Sequence, residues 1–233
     1  MTQPTRWELA YQRFETPAQE RHKFIRRLRS LDVDRWNRQL SVAEICSGRG
    51  NGLVAWRQLG FRNVCGVDLS PALIQACELR RSCIVGDARQ LPLQTASRDI
   101  AIVQGGLHHL MHLEDVRAAL AEMRRVLKPD GRAIIIEPWL TPFLHVVHLV
   151  SEQPLVRAMS AKLDAFAAMA EEERPTYEAW LARAEPIVEA VTCEFDTMRL
   201  TTRWGKFVFL GRPRSVEEAD RLRSTAVRRV WSS

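Results

Sequence analysis

The feature of this chain that most constrains its fold is a series of short apolar runs separated by helix-like segments. Such runs are typical of strands buried on both faces, whereas the segments between them carry apolar residues at helical spacing. Strands that alternate with helices in this way form a parallel sheet covered by helices on both sides. We therefore predict an α/β fold with a doubly wound sheet, whose first strands cover 42–46, 63–67, 82–85, 99–103 and 132–137.

The residues before the first predicted strand contain a helix start signal. Thr16 and Gln19 have the spacing of a capping box, and Pro17 stands at the first helical position. A helix should therefore run from about 17 to 30. We assign residues 1–40 to an N-terminal helical lid.

The remaining residues, 41–233, are assigned to one domain that contains an insertion. The strand pattern stops over 139–191, where prolines interrupt helical segments. Strand-like segments return at 193–201 and 205–210. Ser215 then opens a last helix, because it stands three residues before a glutamate in a second capping box.

The composition predicts a soluble protein of a reducing compartment. The sequence has no stretch of about 18 uncharged apolar residues, which a membrane-spanning helix would need. Its start lacks the basic-then-apolar order of a signal peptide. Five cysteines form no Cys-x-x-Cys pair, so neither a disulfide framework nor a zinc knuckle is indicated. We expect a cytoplasmic protein without a membrane partner.

The formal net charge of +6 raises the question of a nucleic-acid partner. Basic residues cluster in the first predicted helix, around Phe24, Ile25 and Leu28. This pattern is typical of a surface helix with one apolar stripe and a solvated basic face. No RNA- or DNA-binding signature accompanies it, so nucleic acid is not the expected partner.

Three glycines at every second position, Gly48, Gly50 and Gly52, follow the first predicted strand, and Asp68 ends the second. Doubly wound sheets bind nucleotides with this arrangement, because the glycine turn lets the ligand approach the backbone and the carboxylate accepts hydrogen bonds from ribose hydroxyls. The pattern alone leaves a dinucleotide enzyme and an S-adenosylmethionine enzyme both open.

Five stretches that occur in order decide between these two classes. Together they resemble the class I S-adenosylmethionine-dependent methyltransferases over about residues 40–140, with the final strands added. The resemblance implies S-adenosylmethionine as the cofactor and a Rossmann-like, seven-stranded sheet in which only the last strand runs antiparallel. The stretches are Glu44 to Gly52, Gly66 to Ser70, Gly86 to Pro92, Arg98 to Val103 with Leu107 to Leu110, and Glu122 to Gly131.

The resemblance also assigns positions around the ligand. It places Glu44 near the methionine part, Asp68 on the ribose hydroxyls and Asp87 at the adenine amino group. Carboxylates suit the ammonium and sulfonium of this ligand, and the helix start after the glycine turn suits its carboxylate. The expected cofactor-binding residues are Glu44, Cys46, Gly48, Gly50, Asp68, Leu69, Asp87, Ala88 and Gln104.

Cys46 departs from the resembling family, which usually has glycine at this position. A side chain therefore stands where backbone normally closes on the ligand. We expect the thiol to pack below the turn. The alternative is a reactive thiol, whose pKa would have to be lowered by the helix N-terminus and the sulfonium.

Methyl transfer requires positioning of the acceptor and, where the acceptor must lose a proton, a base. His108 and His109, just beyond the fourth strand, are the expected catalytic residues. No carboxylate or cysteine at ligand spacing completes a metal site with these histidines or with His145 and His148, so no metal is expected.

Aromatic residues indicate where the acceptor binds. In the resembling enzymes the N-terminal segment and the insertion cover the ligand and select the acceptor. Tyr11 precedes the first strand, Trp139 follows the fifth, and Tyr177 lies in the insertion. Their rings would suit a flat organic acceptor and would attract a sulfonium through cation–π interaction.

The function predicted from the sequence is therefore methyl transfer from S-adenosylmethionine to a small organic acceptor. Two alternatives stay open at this point. The same fold could use S-adenosylmethionine as the substrate, closing its aminobutyrate chain and releasing methylthioadenosine. A non-catalytic ligand- or RNA-binding protein could instead use the basic helix at 17–30. The identity of the acceptor and the oligomeric state are left open.

Overall fold

A computed structural model describes residues 14–151 and 161–230. Its centre is a seven-stranded sheet with the strand order β3-β2-β1-β4-β5-β7-β6. Tyr11, which the sequence predicts near the acceptor, lies outside the described residues. The strands are β1 Val42–Ile45, β2 Val64–Asp68, β3 Cys83–Val85, β4 Arg98–Gln104, β5 Leu127–Pro138, β6 Phe195–Arg203 and β7 Lys206–Pro213.

The direction of the strands confirms the predicted sheet. β1 pairs in parallel with both β2 and β4, β2 with β3, and β4 with β5. β7 is antiparallel to β5 and to β6. Only β7, the last strand along the chain, therefore runs opposite to the others, as the sequence predicts for a Rossmann-like fold.

Helices cover both faces of the sheet and leave two buried apolar clusters, one on each side. The capping boxes at Thr16–Gln19 and Ser215–Glu218 are both formed. The described helices are α1 Pro17–Ser30, α2 Asn51–Gln58, α3 Pro71–Gln75, α4 Leu113–Val126, α5 Pro142–Ser151, α6 Ala161–Glu172, α7 Arg174–Leu181, α8 Ala184–Glu194 and α9 Val216–Val230.

The segment that begins with α1 packs into the core through its apolar stripe. Leu28, Leu31 and Val33 are buried together with Val42 of β1 and Leu53 of α2. The described part of the N-terminal region therefore lies against the second helix. Its proposed role as a lid over a ligand stays a prediction.

Four described helices, α5 to α8, separate β5 from β6, where the sequence predicts an insertion. α7 is fixed to the end of β5, because Nε1 of Trp180 donates a hydrogen bond of 2.7 Å to the carbonyl oxygen of Pro138. The insertion thus meets the sheet at the carboxyl end of its strands. None of the described helices is both long and apolar enough to cross a membrane.

Candidate functional site

The carboxyl ends of β1, β2, β4 and β5 meet at one edge of the sheet, where doubly wound folds bind their ligands. Glu44 and the glycine turn lie at β1, Asp68 ends β2 and Gln104 ends β4. Glu137 lies beside them on β5. The structure thus brings together residues that the sequence analysis assigned to the methionine and ribose parts of a cofactor.

The glycine turn is shaped by its neighbours. Gly50 has a φ of 72°, in the left-handed region that favours glycine, and directly precedes α2. A Cβ on Gly52 would lie 1.9 Å from Oε1 of Glu44, so this glycine makes room for the carboxyl group. A Cβ on Gly48 would meet no atom within 4 Å, which leaves open space at the start of the turn.

Asp68 links this turn to the end of β2. Its Oδ2 accepts a hydrogen bond of 2.7 Å from the N–H of Gly48, and Oδ1 accepts one of 2.9 Å from the N–H of Ser70. A carboxylate has about four acceptor positions, so two bonds leave capacity for hydroxyl donors. Leu69, beside it, is 68% exposed and provides apolar surface at the same edge.

Glu44 and Gln104 carry buried polar atoms that the chain does not satisfy. Within the described residues, Oε2 of Glu44 and both amide atoms of Gln104 lack a hydrogen bond of good geometry, although Gln104 lies close enough to Glu44 to oppose the rise in its pKa. Burial of Glu44, together with the charge of Glu20, raises its pKa to about 8. Because unsatisfied buried polar groups are costly, these atoms indicate a site for a polar ligand.

Cys46 has a φ of 56°, an uncommon conformation for a residue other than glycine. A Cβ added to Gly106 would lie 2.8 Å from the Cys46 sulfur, so the thiol packs tightly against that turn. Burial raises the pKa of the Cys46 thiol, and the charges of Glu137 and Asp68 raise it further. This environment favours a protonated, packed thiol over a reactive one.

Asp87 and Ala88 follow β3, where the resemblance implies the adenine. The carboxylate of Asp87 forms an ion pair of 2.6 Å with Arg89, and this hydrogen bonding lowers its pKa. Arg89 also pairs with Asp115 at 3.0 Å. Ala88 is buried. An adenine amino group would therefore share the Asp87 carboxylate with Arg89.

Beyond β4 the structure forms a group of titratable residues that we name the histidine cluster: His108, His109, Glu137 and Glu173. Nδ1 of His108 lies 2.7 Å from Oε2 of Glu137. Glu173, which directly precedes α7, approaches Nε2 of His108 at 3.7 Å and Nδ1 of His109 at 3.4 Å. The insertion and the sheet both contribute to this cluster.

The two histidines of the cluster differ in their electrostatics. Burial opposes a charge on His108, but Glu137 and Glu173 outweigh it and raise the pKa of His108 to about 9. Partial burial and the charge of His108 lower the pKa of His109, whose side chain is still 43% exposed. At neutral pH, His108 is therefore protonated and His109 is neutral.

Two of the predicted acceptor aromatics lie on either side of this region. The ring of Tyr177 on α7 meets that of His108 edge-on, with 6.1 Å between their centroids. Trp139 is only partly buried and packs on Phe207 at 4.9 Å. Tyr177 thus borders the histidine cluster, whereas Trp139 also contributes to the core.

The two carboxylates of the histidine cluster were not predicted from the sequence. Glu137 directly follows three isoleucines in a predicted strand and is fully buried. An acidic residue at the end of such an apolar run was a signal that could have identified it. Glu173 had no such signal. It reaches the histidines only because α7 packs against the turn that carries them.

Comparisons with known protein sequences give a consistent result. A family model described as a methyltransferase domain matches residues 43–135, from β1 into β5. A demethylmenaquinone methyltransferase of Corynebacterium glutamicum is 34% identical over 126 residues, which are 51% of this chain and 51% of that protein. The chain thus spans about half the length of the first curated relatives it matches.

Solved structures extend the likeness in fold beyond the matched residues. A protein of Pyrococcus horikoshii has a TM-score of 0.67 at 18% identity, covering 91% of this chain and 100% of that one. A SAM-dependent methyltransferase of Methanosarcina mazei has a TM-score of 0.54 at 17% identity, covering 78% of this chain and 96% of its own. At these identities the likeness shows the fold alone.

Proposed function

We propose that this chain, whose residues 43–135 match a methyltransferase domain, is a class I S-adenosylmethionine-dependent methyltransferase that methylates a small organic acceptor. Family and fold imply S-adenosylmethionine as the cofactor, as the sequence predicts. When bound, this cofactor supplies an electrophilic methyl group on a sulfonium. The acceptor, its orientation and its deprotonation depend on residues of this chain.

The observation that carries the proposal is the set of unsatisfied polar atoms on Glu44 and Gln104 at the edge of the sheet. An amino-acid ammonium would donate hydrogen bonds to the Glu44 carboxylate and thereby offset the free-energy cost of burying its charge. The amide of Gln104 offers both a donor and an acceptor beside it. These residues therefore fit the methionine part of the cofactor.

Asp68 fits the ribose hydroxyls for a related reason. Its carboxylate is fixed by two backbone N–H groups, and the Gly48 turn in front of it is open. A charged acceptor held in this way forms strong hydrogen bonds with hydroxyl donors. Asp87, if the adenine amino group replaces part of its hydrogen bonding to Arg89, and the apolar surfaces of Leu69 and Ala88 would hold the adenine.

We propose His109 as the base that accepts the acceptor's proton. Its side chain is 43% exposed and its pKa is lowered, so it is neutral and can accept a proton. His108 is held by Glu137 and is already protonated. It would orient His109 and Glu173 rather than take a proton itself.

The finer proposal concerns the class of acceptor. Relatives of this chain are named for demethylmenaquinone, which suggests an aromatic acceptor of the quinone type in its reduced form. Tyr177, beside the histidine cluster, offers a ring that could contact such an acceptor. A hydroxyl of the reduced ring is then the group from which His109 would remove a proton.

Incubation with isotopically methyl-labelled S-adenosylmethionine tests the proposal. The purified chain is given a panel of small aromatic acceptors, including reduced naphthoquinones, and products are identified by mass spectrometry. We expect S-adenosylhomocysteine and a labelled acceptor to appear together, and both to form more slowly with an Asp68→Asn variant at a low cofactor concentration.

The same incubation without an acceptor examines the alternative chemistry. Methylthioadenosine formed from S-adenosylmethionine alone would show that the cofactor is itself the substrate. A chain that binds S-adenosylmethionine but forms no product with any aromatic acceptor would overturn the proposal for this acceptor class.

A further inference from the structure

We propose that His108, His109 and Glu173 form a binding site for a divalent cation of the zinc type, at the junction of sheet and insertion. The sequence analysis expected no metal because no carboxylate stands at ligand spacing from these histidines. Glu173 supplies that carboxylate from the far end of the insertion. Two imidazoles and one carboxylate are a ligand set that catalytic zinc sites use.

The distances between the ligand atoms suit such an ion. Glu173 oxygens lie 3.4 Å from Nδ1 of His109 and 3.7 Å from Nε2 of His108, and the three ligand atoms lie within 4.8 Å of one another. A tetrahedral zinc ion with bonds of about 2.0–2.2 Å places its ligand atoms roughly 3.3–3.6 Å apart. Small side-chain movements would therefore complete the coordination.

Glu137 gives this site the support that metal-bound histidines generally have. It faces Nδ1 of His108 at 2.7 Å, which leaves Nε2 directed toward Glu173. Its other oxygen accepts hydrogen bonds of 2.9 Å from the N–H groups of Gly106 and Leu107. A carboxylate on the far nitrogen fixes the tautomer and the ring orientation of a histidine ligand.

The charges around the site favour a cation for a separate reason. Glu137 is fully buried and the side chain of Glu173 is 19% exposed. Among residues 14–151 and 161–230, neither carboxylate forms an ion pair with a lysine or an arginine. Protonated His108 balances only one of these two negative charges. A divalent cation bound to both histidines and Glu173 would displace the Nε2 proton of His108 to solvent and balance both charges.

Three protein ligands leave a fourth coordination position open, and an oxygen of the acceptor suits that position. A bound divalent cation lowers the pKa of such an oxygen, so the acceptor would lose its proton to solvent while His109 serves as a ligand. His109 then acts as the base only in the cation-free protein. This use of the site rests on the proposed function, whereas cation binding itself does not.

Titration of the metal-free full chain with Co²⁺ alone tests the site directly. We expect one Co²⁺ per chain and the intense visible absorption of a tetrahedral ion. The near-ultraviolet band of cobalt–thiolate bonds should be absent, because no cysteine is a ligand. Zn²⁺ should displace Co²⁺ with the same stoichiometry in a calorimetric titration.

Two variants and two controls test the roles of Glu173 as a ligand and of Glu137 as the support of His108. Glu173→Gln should weaken Co²⁺ binding at least about 100-fold, and Glu137→Gln, which leaves all three ligands in place, about 10- to 100-fold. Glu178→Gln on α7 and His145→Ala on α5, both exposed, should bind as the original chain does. Circular dichroism establishes that each variant is folded.

Each outcome has a definite meaning. A folded chain that shows no tetrahedral Co²⁺ spectrum, or binds Co²⁺ equally well as Glu173→Gln, overturns the inference. S-adenosylhomocysteine binding measured on the same samples separates this result from the proposed function. If the original chain binds S-adenosylhomocysteine but no Co²⁺, the cation site alone is rejected, and methyl transfer through His109 still stands as the proposed function.

Discussion

Oε2 of Glu137 lies 2.7 Å from Nδ1 of His108, and both side chains are buried where β5 meets the turn after β4. The other carboxylate oxygen accepts hydrogen bonds from the backbone of Gly106 and Leu107. One buried acid therefore positions the turn that carries both histidines. Removing one partner from such an arrangement leaves buried polar groups without compensation.

We expect Glu137→Ala to lower the free energy of unfolding by about 3–5 kcal/mol, because it leaves His108 and two backbone N–H groups unpaired. Glu137→Gln keeps an oxygen for the two N–H groups and should cost less. Urea denaturation at neutral pH measures both. Glu185→Ala, an exposed change on α8, should stay within about 0.5 kcal/mol, and an equally small effect of Glu137→Ala would contradict the assigned role.

Cofactor binding should depend on pH through Glu44, whose pKa in the ligand-free chain is raised to about 8. An ammonium group requires the ionised carboxylate, so the association constant of S-adenosylhomocysteine should rise up to about tenfold per pH unit below pH 8 and level off above it. Calorimetry between pH 6.5 and 8.5 measures this slope. In Glu44→Gln the slope attributable to this carboxyl should disappear, and an unchanged slope would assign the pH dependence elsewhere.

The same raised pKa has a consequence for the stability of the ligand-free chain. The folded state keeps a proton on Glu44 that the unfolded state has already lost, over the range from 4.5 to about 8. The contribution of Glu44 to the free energy of unfolding therefore decreases as pH rises through this range. Bound cofactor should remove that decrease, because its ammonium compensates the carboxylate.

Most of the sheet could be predicted from the sequence because each buried strand forms a short apolar run of its own. The runs at 42–46 and 99–103 correspond to β1 and β4 within one or two residues. The cofactor-binding residues could also be predicted from the sequence, because Glu44 and Asp68 lie at strand ends and the parallel order of the strands brings those ends together.

Only the two histidines of the histidine cluster could be predicted from the sequence. His108 and His109 follow β4 and could be recognised locally. Glu173 reaches them because α7 packs against the turn that carries the histidines, next to the Trp180 hydrogen bond to Pro138. No spacing rule along the chain encodes that approach, so the carboxylate that completes the cluster appears only in the fold.

Asp68→Asn should weaken cofactor binding. The asparagine loses the charge that strengthens hydrogen bonds from the ribose hydroxyls, and its NH2 group replaces one of the two oxygens that accept backbone N–H groups. Charged hydrogen bonds contribute about 1.5–3 kcal/mol, so we expect the dissociation constant of S-adenosylhomocysteine to rise roughly 10- to 100-fold. Calorimetry measures this change. A rise of less than threefold in the dissociation constant would show that Asp68 does not bind the ribose hydroxyls.

Cys46→Gly should leave turnover within a few-fold of the original chain. Glycine adopts the φ of 56° without strain, which offsets part of the packing lost with the thiol, so we expect the free energy of unfolding to change by no more than about 1–2 kcal/mol. Steady-state rates and urea denaturation check these two expectations. Complete loss of turnover with cofactor binding intact would establish a chemical role for the thiol.

Gly52→Ala should weaken cofactor binding, although the same change in an ordinary helix interior is stabilising. The added Cβ would lie 1.9 Å from Oε1 of Glu44, so the carboxyl group must leave its position. We expect the affinity for S-adenosylhomocysteine to fall at least about tenfold, the loss of one charged interaction. Gln58→Ala, an exposed change in the same helix, should have no effect on affinity.

A double-mutant cycle separates this effect from general damage to α2. In a Glu44→Ala background the carboxyl group is gone, so adding Gly52→Ala should not weaken binding further. Two losses that simply add would show that Gly52 acts independently of Glu44. Non-additive losses would instead establish that this glycine is required because it makes room for the carboxylate that receives the ammonium of the cofactor.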